Sequence, residues 1–346
     1  LDLMRTLREM ADAGVTDVVM EVSSHALDQG RARDCPFKIV VFTNISRDHL
    51  DYHQSMDKYF EAKSRLFRGL GESGELTNAV INADDPKGKD LAELTHVPVM
   101  TYGLKRDCKV RADRLQVRQD GLRARLITPV GEVDIQSPLL GNFNIYNILA
   151  ASTVALCMDI DLKAISEGIR RLKRVPGRLE LVENRRSLAV VVDYAHTPDA
   201  LLNALGAVRP LTKGRLITVF GCGGDRDRGK RREMGRIAGE HSDLVFITSD
   251  NPRSEDPAAI ASEIDKGVCE SGLERLVESS DDLTIGPGYI LELDRGNAIK
   301  RAVEMADKGD LILIAGKGHE DYQIIGKSKR HFDDREVAAE AASGGI

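Results

Sequence analysis

Lys63 has the most demanding setting of any ionisable residue in this sequence. It closes Tyr59-Phe60-Glu61-Ala62-Lys63 and lies four residues from both Tyr59 and Phe67, on the same helical stripe as those rings. Burial there disfavours an ammonium and leaves a more nucleophilic amine. Two outcomes are open. The side chain can snorkel from the edge of the stripe to water, or the amine can take up carbon dioxide to give a carbamate, an oxygen ligand for a hard cation. An imidazole stands just upstream, at the end of Asn44-Ile-Ser-Arg-Asp-His49. Glu21 follows the apolar run Asp17-Val-Val-Met. A glutamate at the carboxyl end of a strand sits where open α/β sheets bind ligands, although a solvated strand end reads the same way.

Further polar clusters follow apolar runs of strand length. Asp193-Tyr-Ala-His196 follows Leu188–Val192, Gly221-Cys-Gly-Gly-Asp-Arg226 follows Arg215–Phe220, Asp250-Asn-Pro-Arg253 follows Leu244–Thr248, and Gly316-Lys-Gly-His-Glu320 follows Leu311–Ala315. The glycine cluster is not a dinucleotide loop, because Arg226 stands where the last glycine is required and no acidic ribose partner follows in the usual context. Asn-Pro by itself is only a turn former. Asn144 and Asn147 share one face at a helix start, where they can serve as caps or border an anion.

These residues need a frame, and hydrophobic periodicity supplies one. Lys38–Thr43 reads as a strand and Ser55–Leu70 as a helix, with Ser55 as N-cap, Asp57 in the first turn, and Tyr59, Phe60, Leu66, Phe67 and Leu70 on its apolar stripe. Leu3–Met10 reads as a helix closed at Gly14, Asp17–Val22 as a buried strand, and Ala79–Asn82 and Pro98–Tyr102 as strands separated by the Asp84-Asp85-Pro86 turn. Alternation at Cys108–Ala112, Leu122–Leu126 and Val133–Ile135, with a turn at Asp120-Gly121, gives an antiparallel appendage. Long helices are expected from Gly141 to about Met158 and from Asp161 to Lys173. Beyond the hinge Arg174-Val-Pro-Gly-Arg178, five strands alternate with four helices as far as Ala315, which implies a mostly parallel, doubly wound, Rossmann-like sheet. The fold class is α/β, with domains at 1–175 and 176–346.

Composition narrows the function classes. The 346 residues carry 42% hydrophobic and 30% charged side chains, ordinary for a globular protein of two or three domains. A net charge of -6 argues against a nucleic-acid surface. Five cysteines without a CxxC pair suggest neither zinc nor a disulfide framework, and fit a reducing cytoplasm. No apolar run is long enough to span a bilayer.

The run Asn44–His49 followed by Tyr59–Lys63 resembles the central domain of the Mur ligases, ATP-dependent amide-forming enzymes of peptidoglycan precursor synthesis. Gly141-Asn-Phe-Asn-Ile-Tyr-Asn-Ile-Leu-Ala-Ala151 resembles the element of that family which borders the nucleotide. The resemblance implies that Lys63 is carbamylated and supports Mg²⁺ together with His49 and Glu21, and that Ser23, Gln29 and Arg31 contact the uridine-nucleotide peptide. It places Asn144, Asn147, Arg178, Asp193 and His196 around ATP. Arg226, Asp250, Asn251, Pro252, Arg253, Gly316 and Glu320 resemble the amino-acid pocket of the branch that adds meso-diaminopimelate as the third peptide residue. A planar guanidinium can grip the distal carboxylate, which lysine lacks, and Glu320 would face the distal ammonium.

The implied reaction joins meso-diaminopimelate to UDP-N-acetylmuramoyl-L-alanyl-D-glutamate through an acyl phosphate, in a monomeric cytoplasmic enzyme. One departure is large: the Gly-x-x-Gly-Lys-Thr/Ser phosphate loop and uridine-binding domain of the family do not occur here, and Lys317 has the wrong glycine spacing to replace that loop. The sequence is therefore expected to be the central and C-terminal part of a ligase, inactive alone. The competing readings are another member of the superfamily, resembling folylpolyglutamate synthase or the ligase that adds a dipeptide, and a binding module without catalysis.

Overall fold

The computed structural model describes residues 2–46, 48–69, 76–118, 120–276 and 286–343. It forms two compact units, the first comprising Leu1–Leu115, Ala124–Ile135 and Ile145–Ile169, the second Gln116–Arg123, Gln136–Asn144 and Arg170–Ile346. No helix among the described residues is long and apolar enough to cross a membrane.

As far as Arg171 the elements are α1 (Asp2–Asp12), α2 (Ser24–Asp28), β1 (Ile39–Phe42), α3 (Leu50–His53), α4 (Met56–Arg68), β2 (Asn78–Asn82), α5 (Lys87–Leu94), β3 (Val99–Gly103), β4 (Val110–Arg118), β5 (Gly121–Thr128), β6 (Gly131–Ser137), α6 (Phe143–Cys157) and α7 (Leu162–Arg171). The strands form one sheet in the order β1-β2-β3-β4-β5-β6. Pairing is parallel from β1 to β4, and the short connections within β4–β6 permit only antiparallel neighbours. The alternating segment thus continues the parallel sheet. α4 starts as its sequence dictates: Ser55 is extended and its Oγ accepts from Lys58 N at 3.3 Å. Its inward face places Phe67 edge-on to Phe42, with ring centroids 6.2 Å apart, in a small core with Val40, Ala79, Ile81 and Leu91. Leu70 lies outside the described residues.

One expected strand is absent. Asp17–Val22 has no regular structure, and Val18 and Val19 are 46% and 98% exposed. A strand needs a ladder to satisfy its backbone, and among the described residues the sheet ends at β1, whose neighbour is β2. Glu21 therefore stands on an exposed irregular segment and not at a strand end. The helix at Leu3–Met10 does form, as α1, with no residue buried.

The remaining elements are β7 (Glu180–Leu181), β8 (Ala189–Asp193), α8 (Pro198–Val208), β9 (Leu216–Phe220), α9 (Gly229–His241), β10 (Leu244–Ile247), α10 (Pro257–Glu270), β11 (Gly288–Leu291), α11 (Arg295–Glu304), β12 (Leu311–Ala315), β13 (Tyr322–Ile325), β14 (Ser328–His331) and α12 (Asp334–Ala341). The main sheet runs β11-β10-β9-β12-β8-β7, parallel except at β7. Strand alternation builds a core on each face. Val191, Leu311 and Leu313 pack with Leu201, Met234 and Ile264 of α8, α9 and α10. Val190, Val192, Ile312 and Ile314 pack with Ile299 and Val303 of α11 and Ala338 of α12. The doubly wound reading holds, and the β13–β14 hairpin and α12 are additions that periodicity did not show.

α9 and α10 follow the two loops that carry Arg226 and Arg253, and they meet backbone to backbone. A Cβ at Gly267 would lie 1.9 Å from Arg232 O, and one at Gly235 would lie 2.2 Å from Ile264 O. Neither carbonyl can retreat without moving its helix. Gly267→Leu is expected to cost about 1–3 kcal/mol in urea unfolding, as overpacking typically does; a stability within error of wild type would show that the crossing is looser than this.

Candidate functional site

The first cluster gathers at α2, α3 and α4. The His49 ring lies 4.8 Å from the His25 ring and 5.9 Å from Tyr59, and its Nε2 is 3.5 Å from Asp48. His53, buried, stacks on Tyr59 at 5.3 Å and contacts Ser24 Oγ at 2.9 Å. Lys63 Nζ lies over the same Tyr59 ring, 5.1 Å from its centroid, and among the described residues it makes no hydrogen bond or ion pair. Burial pulls its pKa down, and the nearby charges of Glu21 and Asp48 only partly oppose this. The side chain is only half-buried, so part of it still reaches water. Lys63, Glu21 and His49 share one neighbourhood, but among the described residues no three His, Cys, Asp or Glu side chains already stand close enough to hold a metal ion.

Ser23 caps α2, its Oγ accepting from Ala26 N at 3.2 Å, and Gln29 ends that helix with Nε2 donating to Tyr52 Oη at 3.3 Å. Arg31 is exposed. A cleft of about 320 Å³ lies beside them, lined by Asp28, Gly30, Arg33 and Arg65 among others. It adjoins the substrate-matching residues and not the lysine.

Asn144 and Asn147 lie one turn apart on α6 but have different fates. Asn144 is buried and its Nδ2 donates to Leu140 O at 2.6 Å, a tie to the preceding loop, whereas Asn147 is exposed. At the end of β8, Asp193 is buried and accepts from Leu179 N and Ala195 N, each at 2.8 Å. Burial raises its pKa despite those bonds and the Arg178 and His196 charges. The Arg178 guanidinium lies over Tyr194, 5.2 Å from its centroid, and His196 and His319 lie 4.7 and 5.3 Å from the same ring. Lys230 Nζ donates to His196 O at 2.8 Å. Arg178, Asp193 and His196 therefore converge, with Tyr194 as an organiser that the sequence did not single out.

The second cluster is a cup at the ends of β9, β10 and β12. Arg226 and Arg253 flank Gly223: a Cβ there would lie 2.9 Å from Arg253 Nη1 and 3.8 Å from Arg226 Cγ. Behind it, a Cβ at Gly224 would meet the carbonyl oxygen of buried Pro252 at 1.9 Å. Arg253 has φ +53, a conformation unusual outside glycine. The β13–β14 hairpin holds it there, with Arg253 N donating to Ile324 O at 3.1 Å and Gly326 N to Arg253 O at 2.7 Å. Its Nη1 donates to Gly224 O at 2.8 Å, while Arg226 is exposed and donates to Asp225 O. Asn251 Nδ2 donates to Glu320 Oε2 at 2.9 Å. Gly316, at φ +117, leaves a gap that a Cβ would close to 2.6 Å from Asp250 Oδ2. Burial raises the Asp250 pKa against the pull of Arg295 and Lys317.

Two groups in this region were not anticipated. Lys317 is fully buried beneath Glu320; two residues past the apolar strand β12, it carried no local signal of burial. Arg231, also fully buried, bridges Glu255 and Glu263 at 2.9 and 3.0 Å, and Glu255 additionally accepts from Asp225 N at 2.6 Å. Glu255 thereby ties the Gly221–Arg226 loop to the turn carrying Arg253, and its bonds to Arg231 and Asp225 lower its pKa from 4.5 to about 2.

Two family profiles match the chain, the Mur ligase middle domain over residues 1–155 and the Mur ligase glutamate ligase domain over residues 177–318. A curated relative from Geobacter metallireducens is 50% identical over 99% of this chain and 68% of its own length. One from Gloeobacter violaceus is 48% identical over 99% of this chain and 66% of its own. The chain belongs to the Mur ligase family. Both relatives bear the name UDP-N-acetylmuramoyl-L-alanyl-D-glutamate--2,6-diaminopimelate ligase, and the chain spans about two thirds of their length. A solved structure of the same title is 37% identical, with a TM-score of 0.64 over 99% of this chain and 67% of that one. A folylpolyglutamate synthase from Mycobacterium tuberculosis shares the fold, at 22% identity and a TM-score of 0.64 over 82% of this chain and 62% of that one.

The Glu255 tie has a definite pH signature. Because its folded pKa is depressed, the stability it contributes is present above pH 4.5 and is lost as pH falls toward 2. The difference in unfolding free energy between wild type and Glu255→Gln is expected to be constant at neutral pH and to vanish across that acid window. A difference independent of pH would show that the carboxylate charge is not what holds the two loops.

Proposed function

We propose that this chain supplies the central and C-terminal units of an ATP-dependent ligase, divided at Arg174–Arg178, that joins meso-diaminopimelate to UDP-N-acetylmuramoyl-L-alanyl-D-glutamate in the cytoplasm. The observation that carries the reading is the convergence of Arg226, Arg253, Asn251 and Glu320 around Gly223 and Gly316. A cup with guanidinium and carboxylate groups together suits a ligand end that bears both a carboxylate and an ammonium. The names of the curated relatives point the same way.

In this reading the D-glutamyl γ-carboxylate attacks the ATP γ-phosphate, and the resulting acyl phosphate is displaced by the diaminopimelate amine. Such chemistry depends on charge neutralisation and alignment more than on a protein nucleophile. Ser23, Gln29 and Arg31 hold the nucleotide-peptide. The start of α6 with Asn144 and Asn147 borders ATP, and Arg178, Asp193 and His196 address its phosphates. Glu21, His49 and a carbamylated Lys63 would hold Mg²⁺, which when bound neutralises charge developing on the phosphates. The residues fit that ion: among the described residues the Lys63 amine makes no hydrogen bond or ion pair, and its lowered pKa favours reaction with carbon dioxide. A carbamate formed beside Glu21 and Asp48 adds a further negative charge, which a cation would offset.

Two measurements check the reading. Calorimetry of the chain is expected to show binding of meso-diaminopimelate in preference to L-lysine, with Arg253→Ala weakening the former by about 2–5 kcal/mol, the usual cost of removing one partner of a buried charge pair. Equal affinity for both ligands would defeat it. With ¹³C-labelled bicarbonate and Mg²⁺, a carbamate carbon resonance is expected in wild type and absent in Lys63→Arg. Its absence from both would remove the lysine from the metal site.

A further inference from the structure

We propose that Lys317 sets the ligand preference of the cup by neutralising Glu320 from beneath, so that a lone ammonium finds little uncompensated negative charge there. This rests on the reading of the cup as an amino-acid site and adds a residue to which that reading gave no role.

Lys317 is 0% exposed in the loop two residues past β12, where an apolar residue would be buried without any desolvation cost. Its Nζ faces Glu320 Oε2 at 3.3 Å and Asn251 Oδ1 at 3.4 Å, with the Tyr322 ring centroid 5.4 Å away. Asn251 is fixed in turn: its Oδ1 also accepts from Ile324 N at 2.9 Å, so the amide is oriented and its Nδ2 must donate to Glu320. Both donors therefore converge on Oε2. Oε1 has no hydrogen-bond partner among the described residues, and Glu320 remains 17% exposed. The carboxylate is held from below by its inner oxygen and offers the outer one.

The charge balance follows. Glu320 faces the ligand, but Lys317 already compensates it, while among the described residues neither Arg226 nor Arg253 makes an ion pair. Asp250 is buried beside Gly316, and its burial favours the neutral carboxyl. Asp225, adjacent to Arg226 in the chain and within electrostatic reach of Arg253, offsets part of the guanidinium charge, which leaves two guanidinium groups against one carboxylate beyond the Lys317–Glu320 pair. A ligand end that brings a carboxylate with its ammonium gains from both halves of the cup. One that brings an ammonium alone meets a neutralised carboxylate and guanidinium groups that stand outside any ion pair among the described residues. Lys317 thus acts against the wrong ligand more than for the right one.

The test uses the full chain and titration calorimetry with meso-diaminopimelate and with L-lysine, on wild type, Lys317→Met, Glu320→Gln and the double variant, with thermal unfolding to verify folding. In Lys317→Met the preference for meso-diaminopimelate is expected to fall by roughly tenfold, through tighter lysine binding, one partly screened charge being worth that order. In the Glu320→Gln background the same change is expected to leave the ratio unaltered. Equal weakening of both ligands would mark Lys317 as merely structural and overturn the proposal, as would an unchanged or increased preference, or an effect that persists without Glu320. Should Lys317→Met fail to fold, Lys317→Gln keeps a hydrogen-bond donor and removes the charge, and the same ratio decides. Wild type that binds meso-diaminopimelate with an unaffected ratio in the variants defeats this proposal alone; wild type that binds neither ligand defeats the amino-acid reading with it.

Discussion

The cup depends on a close contact between two loops. The Gly221–Arg226 loop approaches the Asp250–Arg253 turn so closely that Gly224 has no room for a side chain against Pro252 O. Only because the backbones touch do Arg226 and Arg253, separated by a whole helix and strand in sequence, flank the same small residue. The contact is reinforced from behind, since Glu255 takes Asp225 N, Arg228 and buried Arg231. It is also reinforced beneath, since α9 and α10 cross at glycines. A parallel sheet places both loops at its carboxyl edge, and the helix crossing sets how near they come.

Around that contact the structure accepts several buried charges. Arg231, Arg295 and Lys317 are all fully buried, and Arg295 is paired with equally buried Asp334 at 2.7 Å. Isolated, each would be prohibitive. Together they form a scaffold in which each charge has a partner, and Arg295 also donates to Ala315 O at 3.0 Å, fixing the strand end from which Gly316 and Lys317 emerge. The first unit works differently: among the described residues Lys63 makes no hydrogen bond or ion pair, and Glu21 lies on an exposed segment. The cup is preformed. In the proposed reading, the cation site requires chemistry at Lys63.

Much of this was legible in the sequence. The alternation of apolar runs with helical patterns gave the doubly wound sheet because strands buried on both faces must be apolar throughout. The cap at Ser55 and the stripe of α4 were equally local. Less legible was whatever depends on a distant partner. Asp17–Val22 has strand composition, yet composition does not supply a ladder. Asn144 and Asn147 have the spacing of a shared face, but Asn144 turns inward to a carbonyl. The β13–β14 hairpin is short and largely polar, so it lacked a periodic signal, although it holds Arg253 in its unusual conformation. Lys317 was passed over as a failed phosphate-loop lysine, because nothing local distinguishes a buried lysine from one at a strand end facing water.

The central claim is that Arg226, Arg253, Asn251 and Glu320 form one receptor for the end of an amino acid carrying both charges. Its most direct test is a crystal structure of this chain grown with meso-diaminopimelate. The account places the distal carboxylate within hydrogen-bond reach, about 2.7–2.9 Å, of the Arg253 guanidinium, with the neighbouring ammonium on Glu320 Oε1. A ligand bound with its distal carboxylate turned to solvent, or held outside this cup, would contradict it.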